Sequence, residues 1–239
     1  MNHTPTADTD APLIRVENVH KSFLMGKEAV QALRGVSLEV KRGEVVCLMG
    51  PRGSGKTTLL NIIGGLEEPS RGHVIVEEQN VVALSEDKLS EMRLTTMGFV
   101  FQNYNLLANF TAQENVEVPM ALNGLNRRER HRRSSELLAS VGLADRAEHY
   151  PSELSGGQQQ RVAIARALAN DPPILIGDEI TGELDSVTGF EVMEIVARLN
   201  REQGTTIVYV THDPRMAKFA HRLIQLRDGY IVEESESNG

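Results

Sequence analysis

Val45-Val46-Cys47-Leu48-Met49-Gly50-Pro51-Arg52-Gly53-Ser54-Gly55-Lys56-Thr57-Thr58 is the stretch on which the fold turns. Five apolar residues in a row read as a strand buried on both faces, the kind found in parallel sheets. Gly50–Thr57 then fits the G-x-x-x-x-G-K-[ST] spacing of a phosphate-binding loop, and Lys56–Gly64 reads as the helix that follows. The chain has 20 Gly and 27 Ser or Thr but only 6 Lys. With that composition chance produces the pattern about once in two hundred chains of this length. Gly50, Gly53 and Gly55 let successive backbone N–H groups approach phosphate oxygens without a Cβ in the way. The helix start adds free amides and a positive dipole end. Lys56 supplies a point charge near the outer phosphates, and the Thr57 hydroxyl is a ligand for Mg²⁺. Pro51, Arg52, Ser54 and Thr58 complete the expected nucleotide contacts of the loop.

Outward from this loop, short apolar runs alternate with helical patterns, which predicts an α/β fold. Leu13–Val19 and Leu33–Val40 alternate as strands, with the turn Lys41-Arg42-Gly43 after the second. Val74–Val76, Gly98–Phe101, Ile174–Ile176 and Thr206–Val210 are further strands, and Ser186–Gln203 is a helix. Thr111 to about Asn170 is helical in pattern. Leu223–Leu226 and Tyr230–Val232 form a closing hairpin around Asp228-Gly229. Residues 1–12 and 233–239 read as tails. Met1–Pro12 lacks the basic and apolar regions of a secretory signal.

A second acidic signal lies at Ile174-Leu175-Ile176-Gly177-Asp178-Glu179, an apolar strand ending in two carboxylates. An Asp in that place holds the metal in nucleotide-hydrolysing folds, and the adjacent Glu can orient or deprotonate water. Kinases, GTPases, helicases and transport ATPases all remain open at this point.

Leu154-Ser155-Gly156-Gly157-Gln158 narrows the choice. Ser155-Gly156-Gly157 opens a helix around Gln158 and makes another anion-binding helix start. Here the sequence resembles the ATP-binding cassette (ABC) ATPases, whose signature is LSGGQ, from about Leu13 to Val232. The resemblance implies a P-loop NTPase (RecA-like) core, an antiparallel β subdomain, and a helical signature subdomain inserted at about 102–161 within one domain, 13–232. It implies ATP and Mg²⁺ as cofactors. It also implies a homodimer in which each phosphate loop faces the other chain's Ser155–Gln158 across one ATP. Gln102 matches the glutamine that touches Mg²⁺, so the metal set is Thr57, Gln102 and Asp178. Glu179 matches the catalytic base, His212 in Thr211-His212-Asp213 the γ-phosphate sensor, Asp185 the seam residue of Glu183-Leu184-Asp185, and Phe23 the aromatic that stacks on adenine.

Three positions depart from the family pattern: Phe23 replaces Tyr, Arg52 stands where Ser or Asn is common, and Ile180 replaces the proline after Glu179. Losing that fixed φ is expected to loosen the segment holding Glu179. Local strings such as Asn61-Ile62-Ile63-Gly64-Gly65-Leu66 and Gly98-Phe99-Val100-Phe101-Gln102 resemble the branch containing LolD, MacB and FtsE. That resemblance implies a membrane permease partner with an extracytoplasmic domain and a place on the cytoplasmic face of the membrane. No apolar run reaches the roughly 18–20 residues that span a bilayer. The net charge of −8 argues against a nucleic-acid partner. A non-transport ABC ATPase and a module that closes on ATP without useful hydrolysis are the alternative readings. Cys47 is the only cysteine, so no disulfide forms within the chain. Arg127–Arg133 carries five of the 19 arginines and reads as a solvated helix start.

Overall fold

The computed structural model describes residues 11–26 and 28–236. The element order begins β1 (Pro12–Met25), β2 (Glu28–Lys41), β3 (Val45–Met49), α1 (Lys56–Ile63), β4 (Arg71–Val76) and β5 (Gln79–Asn80). It continues α2 (Glu86–Thr95), β6 (Met97–Val100), α3 (Ala112–Leu122), α4 (Arg127–Ser140), α5 (Gly156–Ala167) and β7 (Ile174–Asp178). The last elements are α6 (Ser186–Gln203), β8 (Thr206–Val210), α7 (Pro214–Ala217), β9 (Arg222–Arg227) and β10 (Tyr230–Glu236).

Two sheets form. A four-stranded antiparallel sheet has the order β2-β1-β4-β5, and a six-stranded sheet the order β10-β9-β3-β8-β7-β6. In the larger sheet β9, β3, β8, β7 and β6 run parallel, and β10 folds back antiparallel at the edge. Strand residues alternate between faces, so each central strand feeds two cores. Val46, Leu48, Ile174, Ile176, Val208 and Val210 pack with α1 and the small sheet. Val45, Cys47, Leu175, Ile207 and Tyr209 pack with α3, α5 and α6 on the other side. Complete burial on both faces explains why these strands read as unbroken apolar runs. It also holds the Cys47 thiol up at about 12, an inert packing residue.

The ends of several elements differ from the sequence reading. β10 continues through Glu233–Glu236, which pair with Gln225, Ile224, Leu223 and Arg222, so these residues are strand rather than tail. Edge pairing uses the backbone, and acidic side chains can stay in solvent while blocking further strand addition. At the other end β1 already starts at Pro12, and residues 1–10 of that expected tail lie outside the described residues. β1 and β2 extend to Met25 and Glu28, beyond the part of the hairpin that covers the core. α2 has no counterpart in the sequence reading, because it buries only Met92 and shows no apolar stripe. No helix among the described residues is long and apolar enough to cross a membrane.

Candidate nucleotide-binding site

The C-terminal ends of four adjacent parallel strands, β3, β8, β7 and β6, lie side by side, the edge at which open α/β sheets bind ligands. The phosphate loop follows β3 and is shaped by its glycines. Gly50 adopts φ 147°, and a Cβ there would stand 2.1 Å from the Leu226 carbonyl oxygen of β9. Gly55 adopts φ 102° at the cap of α1, where a Cβ would meet the Ala32 carbonyl at 2.5 Å. No side chain caps α1, so its first amides are free for an anion. Lys56 is only 6 % exposed. Its Nζ donates to the carbonyls of Gly50 at 2.8 Å and Pro51 at 2.9 Å. Burial pulls the Lys56 ammonium below its usual range, and the charges of Glu179 and Asp178 act against that. The Ser54 hydroxyl is buried in the loop without a hydrogen-bond partner among the described residues. Pro51, Arg52 and Gly53 are exposed and Thr58 is half-buried.

β7 carries the acids to this loop. The Thr57 hydroxyl donates to Asp178 Oδ1 at 3.0 Å. Burial raises the Asp178 carboxyl, and the Thr57 hydrogen bond lowers it in part. Glu179 takes φ 48°, with its N–H on the Val210 carbonyl of β8 at 3.1 Å. Its Oε2 lies 2.9 Å from His212 Nδ1. Thr57 and Asp178 thus present hard oxygens side by side, the donor chemistry that suits Mg²⁺. Gln102, just after β6, donates from Nε2 to Glu183 Oε1 at 2.9 Å.

The second glycine-containing helix start is α5. Ser155 caps it: Ser155 Oγ accepts from the Gln158 N–H at 3.3 Å, and the Ser155 N–H donates to Gln158 Oε1 at 2.9 Å. The helix therefore begins at Gly156 rather than around Gln158, since this reciprocal cap fixes the turn through both glycines. Among the described residues no hydrogen bond or ion pair joins Ser155–Gln158 to Gly50–Thr58 of the same chain. Asp185 caps α6, accepting from the Val187 and Thr188 amides and the Thr188 hydroxyl, whose hydrogen bond leads in holding its carboxyl low. Phe23 lies on the exposed end of β1, 37 % accessible, with the Lys21 ammonium 4.9 Å from its ring centre.

The family profile described as ABC transporter matches residues 33–182. The chain belongs to the ABC transporter ATP-binding family. As a member it is an ATP-binding transporter subunit and an ATPase. An uncharacterised ABC transporter ATP-binding protein of Methanocaldococcus jannaschii, MJ0796, is 47 % identical over 95 % of this chain and 98 % of its own length. The macrolide export ATP-binding/permease protein MacB of Escherichia coli K12 is 48 % identical over 92 % of this chain, which spans 34 % of MacB. The structure of a dimeric post-hydrolysis state of MJ0796 bound to ADP and Pi matches with a TM-score of 0.88 at 46 % identity, covering 95 % of this chain and 99 % of that one.

The segment after Glu179 is packed in a way the expectation drawn from Ile180 did not include. Ile180 is 3 % exposed and belongs to the helical-side core. Its Cδ1 fills the space above Gly177, where a Cβ would come within 2.4 Å. Packing of Ile180 thus adds a tether to the segment where the proline is missing. Ile180→Ala is expected to cost about 3 kcal/mol, as a buried aliphatic truncation does. Urea unfolding of the cassette measures it, and a loss under ~1 kcal/mol would mean that Ile180 is not the anchor. Three features of the cassette escaped the sequence reading. Gly182 leaves room for Gln102 and Glu179. Tyr104 and Asn105 are left-handed at φ 59° and 50°. Glu183 meets Gln102 from 81 positions away. Only the asparagine carried a signal, as a residue that tolerates this conformation.

Proposed function

We propose that the cassette hydrolyses Mg²⁺–ATP between two copies of itself and drives a membrane permease of the kind that MacB sequences name. The observation that carries this reading is the pairing at one sheet edge of Thr57 with Asp178 at 3.0 Å and Glu179 with His212 at 2.9 Å, beside a phosphate loop with open amides. The loop residues Gly50–Thr58 cradle the phosphates, with Lys56 leaving its loop carbonyls for the β- and γ-phosphates. Thr57, Asp178 and Gln102 hold the metal, which supplies charge neutralisation at the phosphate oxygens. Glu179 takes a proton from the attacking water, and His212 fixes the Glu179 carboxylate and senses the γ-phosphate. The partner chain's signature segment, Ser155–Gln158 in its own numbering, closes the other side of the nucleotide, with Asp185 at the seam. Phe23 stacks on adenine.

ATP binding closes this pair and product release reopens it, a two-state motion passed to the permease at the cytoplasmic face. The charge of −8 supports a partner other than nucleic acid. The test is phosphate release by the cassette together with the membrane protein that co-purifies with it. Release that depends on ATP, with a permease bearing an extracytoplasmic domain in the complex, supports the reading. Absence of release from that complex overturns it.

A further inference from the structure

The backbone just after Gln102 is held from another element. Half-buried Arg166 of α5 donates to the carbonyls of both Tyr104 and Asn105, so the two left-handed residues after Gln102 are clamped from the signature helix. What stays variable is the side-chain amide of Gln102, whose two ends differ in chemistry. The oxygen can bind a metal and the nitrogen cannot.

Glu183 removes that ambiguity. An ionised carboxylate only accepts hydrogen bonds, so the end of Gln102 that faces it is the NH₂ group. The observed bond, Gln102 Nε2 to Glu183 Oε1 at 2.9 Å, has this polarity and leaves Oε1 turned away from Glu183. Gly182 makes the approach possible. A Cβ there would lie 3.2 Å from Gln102 Nε2 and 3.1 Å from Glu179 Oε2. Burial raises the neighbouring Tyr104 phenol above its usual range, and the charge of Glu183 adds to that.

We infer that Glu183 is a positioning residue for the metal site: it orients the Gln102 amide so that Oε1 is presented to the divalent cation. This rests on the proposed role of Gln102 as a metal ligand. Partners that orient a ligand in this way commonly contribute ten- to a hundredfold to metal affinity. Mg²⁺–ATP binding then does not have to break the Gln102–Glu183 contact, since the nitrogen and the oxygen have separate partners.

Mn²⁺ titration followed by electron paramagnetic resonance, on cassette loaded with a non-hydrolysable ATP analogue, tests this without turnover. Glu183→Ala removes the acceptor. Glu183→Gln keeps the shape but adds a donor, so that the amide can turn either way. Glu183→Ala, which loses the whole orienting contact, is expected to raise the Mn²⁺ dissociation constant about tenfold, and Glu183→Gln, which leaves half the amides correctly turned, about twofold, with metal-free ATP affinity and melting temperature unchanged. Wild-type protein that binds Mn²⁺ while Glu183→Ala stays within twofold of it overturns this inference alone. Wild-type protein that takes up no Mn²⁺ with nucleotide overturns the proposed metal site and this inference together.

Discussion

Glu179→Gln is expected to lower the rate of phosphate release by about a thousandfold while ATP still binds. Glutamine keeps the shape of the carboxylate and loses its ability to take a proton, and a positioned general base contributes roughly 10²–10⁴-fold. A thousandfold loss corresponds to about 4 kcal/mol of transition-state stabilisation. The 2.9 Å contact with His212 Nδ1 explains why the loss should fall on turnover rather than binding, since the phosphate loop and Thr57 are untouched. ATP then accumulates unhydrolysed, and the paired state should appear by size-exclusion chromatography with light scattering when ATP is added. Wild type and variant that turn over and associate alike would remove Glu179 from the base role and favour a module that closes on ATP without useful hydrolysis.

Gly50→Ala should act on folding and on nucleotide together. The new methyl would stand 2.1 Å from the Leu226 carbonyl oxygen, and φ 147° lies in a region that side chains avoid. The obstacle is backbone in β9, which cannot swing aside as a side chain can. Strain and overpacking together give about 4 kcal/mol of destabilisation, read from the urea midpoint. β9 pairs directly with β3, so relief requires the loop to lift away from the sheet edge. ATP affinity should fall with stability. Unchanged unfolding and unchanged ATP binding in this variant would mean that the loop does not pack against β9 as described.

Particular elements explain how far the fold was legible in the sequence. α6 and β8 were readable from end to end, because Asp185 caps the helix, Gly204 closes it at φ 68°, and β8 is buried throughout. α2 left no mark, because a helix with one buried side chain needs no periodicity. The last residues of β10 could not be told from a tail, since exposed acids look the same whether or not their backbone is paired. The candidate site behaves likewise. Lys56, Thr57, Asp178, Glu179, Gln102 and His212 sit in local strings with fixed spacing, so the sequence displays them. The Gln102–Glu183 bond, the open space at Gly182 and the clamp from Arg166 join separate segments of chain. Their information lies in the folded arrangement.

The central sheet has one more consequence. Odd and even positions of β3 and β8 belong to different cores: Cys47 and Tyr209 face the helices, while Leu48 and Val210 face α1 and the small sheet. The sheet is thus a shared wall with two independent tenants. A repacking change at Cys47 should soften the helical lobe alone, and one at Leu48 the β lobe alone. For a signal to pass between lobes without disturbing either interior, the rim of the wall is the open route. Gln102, Glu179 and His212 all stand on that rim, so the residues proposed to meet the nucleotide also occupy the crossing between the two halves of the molecule.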